Sequence, residues 1–127
     1  MTKPLSRLSD ALFAAMQSGL PDVKILLDHY HLYIGGSPLS SLKYMNGANI
    51  GIVHVDDFSS NVNGAVLNDR VFPGEGIAQT HELAGLLHQI GYGGYLSLEL
   101  FIEDYRGENA LEVARRGLNS IKQAYNI

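Results

Sequence analysis

Ile50-Gly51-Ile52-Val53-His54-Val55-Asp56-Asp57 is a short apolar run that closes in an imidazole and two carboxylates. Residues 50–55 are too few for a helix of their own and rich in β-branched side chains, the pattern of a strand covered on both faces. Two other stretches have the same character, residues 23–27 and residues 95–100. Around them lie segments of helical period. Residues 5–16 set Leu5, Leu8, Leu12 and Met16 on one face and are followed by Gly19, a C-cap residue. Residues 80–90 carry Leu83, Leu86, Leu87 and Ile90 before Gly91. Residues 109–125 carry Leu111, Val113, Ala114, Leu118 and Ile121, with Arg115 and Arg116 expected in water, and a shorter segment, 40–45, follows Pro38. Strands alternating with helices predict an α/β fold of right-handed βαβ units about a parallel sheet. One long connection, residues 57–76, interrupts the alternation. A connection of that length inside a domain is more often functional than idle.

The composition narrows the partners. The 127 residues are one domain's worth, 46% hydrophobic and 17% charged, with a formal net charge of −4. No basic run is present, so nucleic acid is not an expected partner. Cysteine is absent. Disulfides and thiolate metal sites are thereby excluded, and a reducing, cytoplasmic setting is expected. Met1-Thr2-Lys3-Pro4 leads into a mixed segment containing Arg7 and Asp10, so neither a leader peptide nor a membrane partner is expected.

The chemistry-bearing residues sit at equivalent places. Asp28 directly follows residues 23–27, His54 stands near the end of residues 50–55, and Glu99 near the end of residues 95–100. Neighbouring parallel strands lie about 4.8 Å apart, so side chains at matched heights can converge. The C-terminal ends of the strands are where β/α proteins bind ligands. Two carboxylates and an imidazole without thiols suit Mn²⁺, Zn²⁺, Co²⁺ or Mg²⁺. Any one of the three taken singly reads as well as a turn residue or a helix N-cap; the three at matched positions favour a metal site.

Four motifs resemble those of the xylose-isomerase-like sugar phosphate isomerase and epimerase superfamily. They are Asp28-His29-Tyr30-His31, Val53-His54-Val55-Asp56-Asp57, Asp69-Arg70-Val71-Phe72-Pro73-Gly74-Glu75-Gly76, and Gly91-Tyr92-Gly93-Gly94-Tyr95-Leu96-Ser97-Leu98-Glu99. With Leu98-Glu99-Leu100-Phe101, the likeness within the superfamily is nearest to inosose isomerases. The resemblance implies a (β/α)8 TIM barrel, of which residues 1–127 would be the C-terminal part, holding the last three parallel strands and their helices. It implies metal ligation by Asp28, His54 and Glu99, and substrate binding by His31 and Arg70. Glu99 would also be a catalytic acid–base in isomerisation or epimerisation of a small sugar, polyol or inosose, through an enediolate held on a divalent metal ion.

Other residues receive plainer readings. His31 reads alternatively as a cap for the segment after it, and Arg70 as a solvated loop charge, although the Pro-Gly turn after it favours a fixed position. One of Asp56 and Asp57 is expected to steer the His54 ring. His29, His81 and His88 carry no assigned role, and Tyr33, Tyr44 and Tyr92 read as packing. Val71 stands where the endonuclease IV branch has a ligating His, so a three-metal phosphodiesterase site is not expected.

A barrel needs eight strands and about 250 residues. The resemblance places a further ligand, a Glu, on a strand before the first helix seen here, and this chain lacks it. Three strands leave two sheet edges open, and one face made for a barrel interior. Such a chain is expected to self-associate, to pair with a complementing N-terminal half-barrel chain, or to be a truncated reading frame. The alternative function is a non-catalytic, self-associating binding or assembly module.

Overall fold

The structure, a computed structural model, describes residues 6–59, 69–101 and 103–127. Helix α1, Leu8–Ser18, ends at Gly19 with φ 66°, the left-handed conformation expected of a glycine C-cap. It runs two residues beyond the periodic stretch read from the sequence, and Leu5 lies outside the described residues. Strand β1, Ile25–Asp28, passes directly into a short helix α2, His29–Ile34. A 3-10 turn, Leu39–Tyr44, stands where the segment after Pro38 was expected. Strand β2, Ile50–Val55, has the predicted bounds.

The long connection holds its own structure. Strands β3, Asp57–Phe58, and β4, Arg70–Val71, form an antiparallel pair that the sequence reading did not anticipate. The central part of the connection, 60–68, lies outside the described residues. Helix α3, Thr80–Gln89, strand β5, Leu96–Leu98, and helix α4, Ala110–Tyr125, complete the chain. Asn109 caps α4 by accepting the Leu111 N–H at 2.9 Å.

Strands β1, β2 and β5 form a parallel sheet in the order β1-β2-β5. The register aligns Leu27 with Val53, Asp28 with His54, His54 with Ser97 and Val55 with Leu98. Alternation along the strands divides the residues between two faces. Leu27, Val53 and Val55 are buried, and with Leu96 and Leu98 they pack on Leu8, Leu32, Leu42, Leu83, Leu87 and Ile121. The opposite face carries Leu26, Ile52, Asp28, His54 and Ser97. Leu26 there is 54% exposed, as expected of a barrel-interior face in a three-stranded sheet.

Some packing expectations fail. Tyr44 is 90% exposed and packs little of its ring, whereas Tyr33 stacks on Phe58 and Tyr92 donates to the Tyr95 carbonyl at 2.8 Å. Among the described residues no helix is long and apolar enough to cross a membrane.

Candidate metal centre

Asp28 ends β1 and begins α2, and its two oxygens are used separately. Oδ1 accepts the His31 backbone N–H at 2.9 Å, which caps the helix. Oδ2 lies 3.6 Å from His54 Nδ1 and 3.3 Å from Arg70 Nη2. The N-cap reading of Asp28 is realised on Oδ1, and Oδ2 is left to face His54 and Arg70. His54 is brought alongside by the register of β1 and β2. Glu99 follows β5, and its N–H continues the ladder by donating to the Val55 carbonyl at 3.2 Å. Standing two residues past Ser97, it returns to the face that carries His54. Its Oε2 lies 3.4 Å from His54 Nδ1.

Asp28, His54 and Glu99 thus offer one donor atom each, all within 4.8 Å of one another. Two ligands at about 2.1 Å from a tetrahedral ion are about 3.4 Å apart. The separations from His54 Nδ1, 3.4 and 3.6 Å, match that edge. The donor set is one nitrogen and two oxygens, which fits a borderline or hard divalent cation.

Arg70 is completely buried, which overturns its reading as a solvated charge. Its Nε lies 2.8 Å from Asp56 Oδ2, and its Nη2 3.3 Å from Asp28 Oδ2 and 3.2 Å from Glu99 Oε2. The guanidinium carbon sits 4.7 Å from the Tyr30 ring centroid and 5.0 Å from that of Phe101, a cation–π contact with each ring. Nη1 is buried without a hydrogen-bond partner among the described residues.

The two acids after His54 do other work than expected. Asp56 pairs with Arg70 instead of steering the imidazole. Burial, reinforced by the negative charge of Asp28, pushes its carboxyl up to about 8, with Arg70 pulling the other way. Asp57 accepts the N–H groups of Phe58 at 2.8 Å, Gly74 at 3.0 Å and Ala78 at 2.7 Å, and so fastens the loop after β4. Gly76 passes so close to Asp57 Oδ1 and the Phe58 carbonyl that a Cβ there would collide with both.

His31 is exposed, and its ring meets Tyr30 edge-on at 5.9 Å. It shares with Asp28 the wall of a cleft of about 220 Å³ beside β1, and its imidazole is not in the three-residue cluster. His29 is buried, and desolvation drives its pKa down to about 4 against the pull of Asp57 and Asp28. Sequence reasoning missed the Asp56–Arg70 pair and the Tyr30 and Phe101 contacts. Both lie inside the quoted motifs, but nothing in the spacing says which acid or ring meets the arginine.

Comparison with known proteins gives a consistent set of likenesses. Residues 2–124 match the profile of the family described as xylose isomerase-like TIM barrel. Inosose isomerase from Bacillus subtilis strain 168 is 32% identical over 108 residues, which are 82% of this chain and 39% of that protein. Inosose isomerase from Halalkalibacterium halodurans is 32% identical over 101 residues, 76% of this chain and 36% of that one. The crystal structure of an IolI protein with a bound zinc atom superposes with a TM-score of 0.89 at 26% identity, over 96% of this chain and 44% of that chain. A xylose isomerase domain protein from Alicyclobacillus acidocaldarius shares the fold, with a TM-score of 0.82 at 24% identity over 94% of this chain and 43% of the other. The chain spans about two-fifths of the length of the curated relatives it matches.

Proposed function

We propose that this chain, which belongs to the xylose isomerase-like TIM barrel family, carries the metal-holding sector of a sugar or polyol isomerase or epimerase site. The observation that supports this reading most strongly is the meeting of Asp28, His54 and Glu99 within 4.8 Å at the C-terminal ends of adjacent parallel strands. Similarity to inosose isomerases and to a zinc-containing IolI points to the same class of chemistry, with an inosose or related polyol ketone as substrate.

Asp28, His54 and Glu99 would hold the divalent ion. Such an ion supplies Lewis acidity, polarising a carbonyl and a neighbouring hydroxyl so that the hydrogen on the carbon between them becomes acidic. The residues then divide the remaining work. Asp28 is committed through Oδ1 to the α2 cap and through Oδ2 to Arg70, and serves as a fixed anchor. Glu99 keeps 29% of its side chain exposed, so it is the carboxylate with room to receive a proton from carbon and return it. Arg70 faces both acids from a water-free position, where its charge would offset negative charge developing on substrate oxygen. His31 would meet a substrate hydroxyl from its exposed position next to Asp28 on α2.

The test is twofold. Gel-filtered protein loaded with Zn²⁺ or Mn²⁺ is assayed for metal per chain, and then for exchange of the hydrogen next to the carbonyl of an inosose in deuterated water, alone and with an added N-terminal half-barrel chain. Near-stoichiometric metal with metal-dependent exchange supports the reading. Exchange absent with every cation and partner removes it.

A second reading is favoured by the apolar surface. Leu26 on the site face and Phe13 and Met16 on α1 are 54%, 65% and 78% exposed, which suits a face made to be covered. On that reading the chain is a self-associating assembly module that retains the metal cluster. Metal uptake in an oligomer without exchange distinguishes it.

A further inference from the structure

We propose that Arg70 is the resident counter-cation of the centre: it holds Asp28 and Glu99 converged before any metal arrives, and a divalent ion binds against its charge. This deepens the metal reading above and rests on it.

The geometry is specific about which atoms are shared. Arg70 Nη2 stands 3.3 Å from Asp28 Oδ2 and 3.2 Å from Glu99 Oε2. Those two oxygens are the ones that face His54 Nδ1, at 3.6 and 3.4 Å. Each carboxylate therefore presents to the guanidinium the same atom it offers to the metal position. Without a cation between them, two acids at this separation repel, and Glu99, the more exposed, would turn toward water. With Arg70 in place, the ligand set is assembled in advance.

Arg70 is also built not to leave. Asp56 holds Nε at 2.8 Å, the guanidinium carbon lies over the rings of Tyr30 and Phe101, and the side chain has no solvent contact. Guanidinium stays protonated at any working pH, so this charge is permanent. A divalent ion entering among Asp28, His54 and Glu99 must share Oδ2 and Oε2 with a fixed positive neighbour. The site gains readiness and gives up affinity, a combination that keeps the ion exchangeable.

The experiment compares the unmodified chain with Arg70→Met, which preserves an apolar stem against the rings, and Arg70→Lys, which preserves the charge. Melting in chelator and Zn²⁺ affinity by calorimetry are read for each. Arg70→Met is expected to melt lower without metal and to bind Zn²⁺ at least about tenfold more tightly, because losing a neighbouring like charge outweighs the looser ligand set. Arg70→Lys is expected to stay nearer the unmodified affinity than Arg70→Met, the three neighbouring carboxylates favouring a charged ammonium against its burial. The double variant Arg70→Met with Asp56→Asn is expected to keep the gain, which then does not come from an unpaired Asp56.

Unchanged or weaker Zn²⁺ binding by Arg70→Met, while the unmodified chain binds, overturns the counter-cation role and leaves the metal centre standing. Failure of the unmodified chain to bind Zn²⁺ overturns the metal reading and this inference with it. Should Arg70→Met not fold, nitrogen NMR of the Arg70 guanidinium in the unmodified chain decides. A shift of its signals on adding Zn²⁺ supports the sharing of oxygens, and signals that do not move overturn it.

Discussion

Asp28 Oδ1 accepts the backbone N–H of His31 at 2.9 Å, while the other oxygen of the same carboxylate faces His54. One side chain thereby joins a local structural task to the proposed metal-holding one, and the two are separable by substitution. Asp28→Asn keeps an oxygen for the cap and removes the charge. It is expected to lower stability only through the weakened pairing with Arg70, and to weaken divalent binding by more than the roughly 10–100-fold typical of losing a ligand's supporting partner. Asp28→Ala removes both and is expected to cost about 1 kcal/mol more through the lost cap. Urea midpoints and metal titrations of the two variants check the split; equal stability losses would contradict it.

The loop after β4 hangs on Asp57. Three backbone N–H groups converge on its carboxylate, which is 1% exposed. Asp57→Ala leaves those donors unmatched and is expected to cost about 3 kcal/mol, at the upper end for a lost bond to a charged group. Gly76→Ala is expected to be destabilising too, since a Cβ meets Asp57 Oδ1 and the Phe58 carbonyl. Chemical denaturation of both variants reads the effect, and near-native midpoints would show that the loop is held by something else.

Tyr125 offers a gain. Its ring is buried, its hydroxyl has no partner among the described residues, and burial raises its pKa. Tyr125→Phe removes an unmatched polar group and is expected to stabilise the chain by about 1 kcal/mol. A lower melting temperature would mean that the hydroxyl is satisfied after all.

Acid should act on His29. Its folded pKa of about 4 lies below the ordinary 6.5, so between those values the unfolded chain binds the additional proton. Stability from this group is therefore intact above pH 6.5 and falls as the pH drops toward 4, by about 2 kcal/mol between pH 7 and pH 5. The loss should shrink in His29→Gln, measured as the difference between midpoints at the two pH values. An identical loss in the variant would assign acid sensitivity elsewhere.

The parallel sheet and the positions of Asp28, His54 and Glu99 were legible because each apolar run gives way to polar or charged residues at or just before its end. The order of α1, the three parallel strands, α3 and α4 is the predicted one, whereas α2 was not foreseen and residues 39–44 form a 3-10 turn. Two further things were not legible. The β3–β4 pair depends on contacts between distant parts of one connection, which have no periodic signature. The duties of Asp56 and Asp57 depend on which way each of two adjacent acids points, and that is fixed by the burial of Arg70 and by the course of residues 73–78. His31 shows a mixed case: its motif position suggested substrate binding or a cap, and the backbone N–H takes part in the cap that Asp28 makes while the imidazole stays exposed.

The division of labour between the two faces of the sheet also governs how this chain can change. Leu27, Val53 and Val55 face the helices, and Asp28 and His54 face the other way. Substitutions can alter one set without touching the other. Removal of a single residue from β2 cannot, because it turns His54 into the hydrophobic layer and sends an aliphatic neighbour to the face that Asp28 and Glu99 share. Lineages of this sequence should therefore diverge freely by replacement within the strands and accept length changes only in their connections.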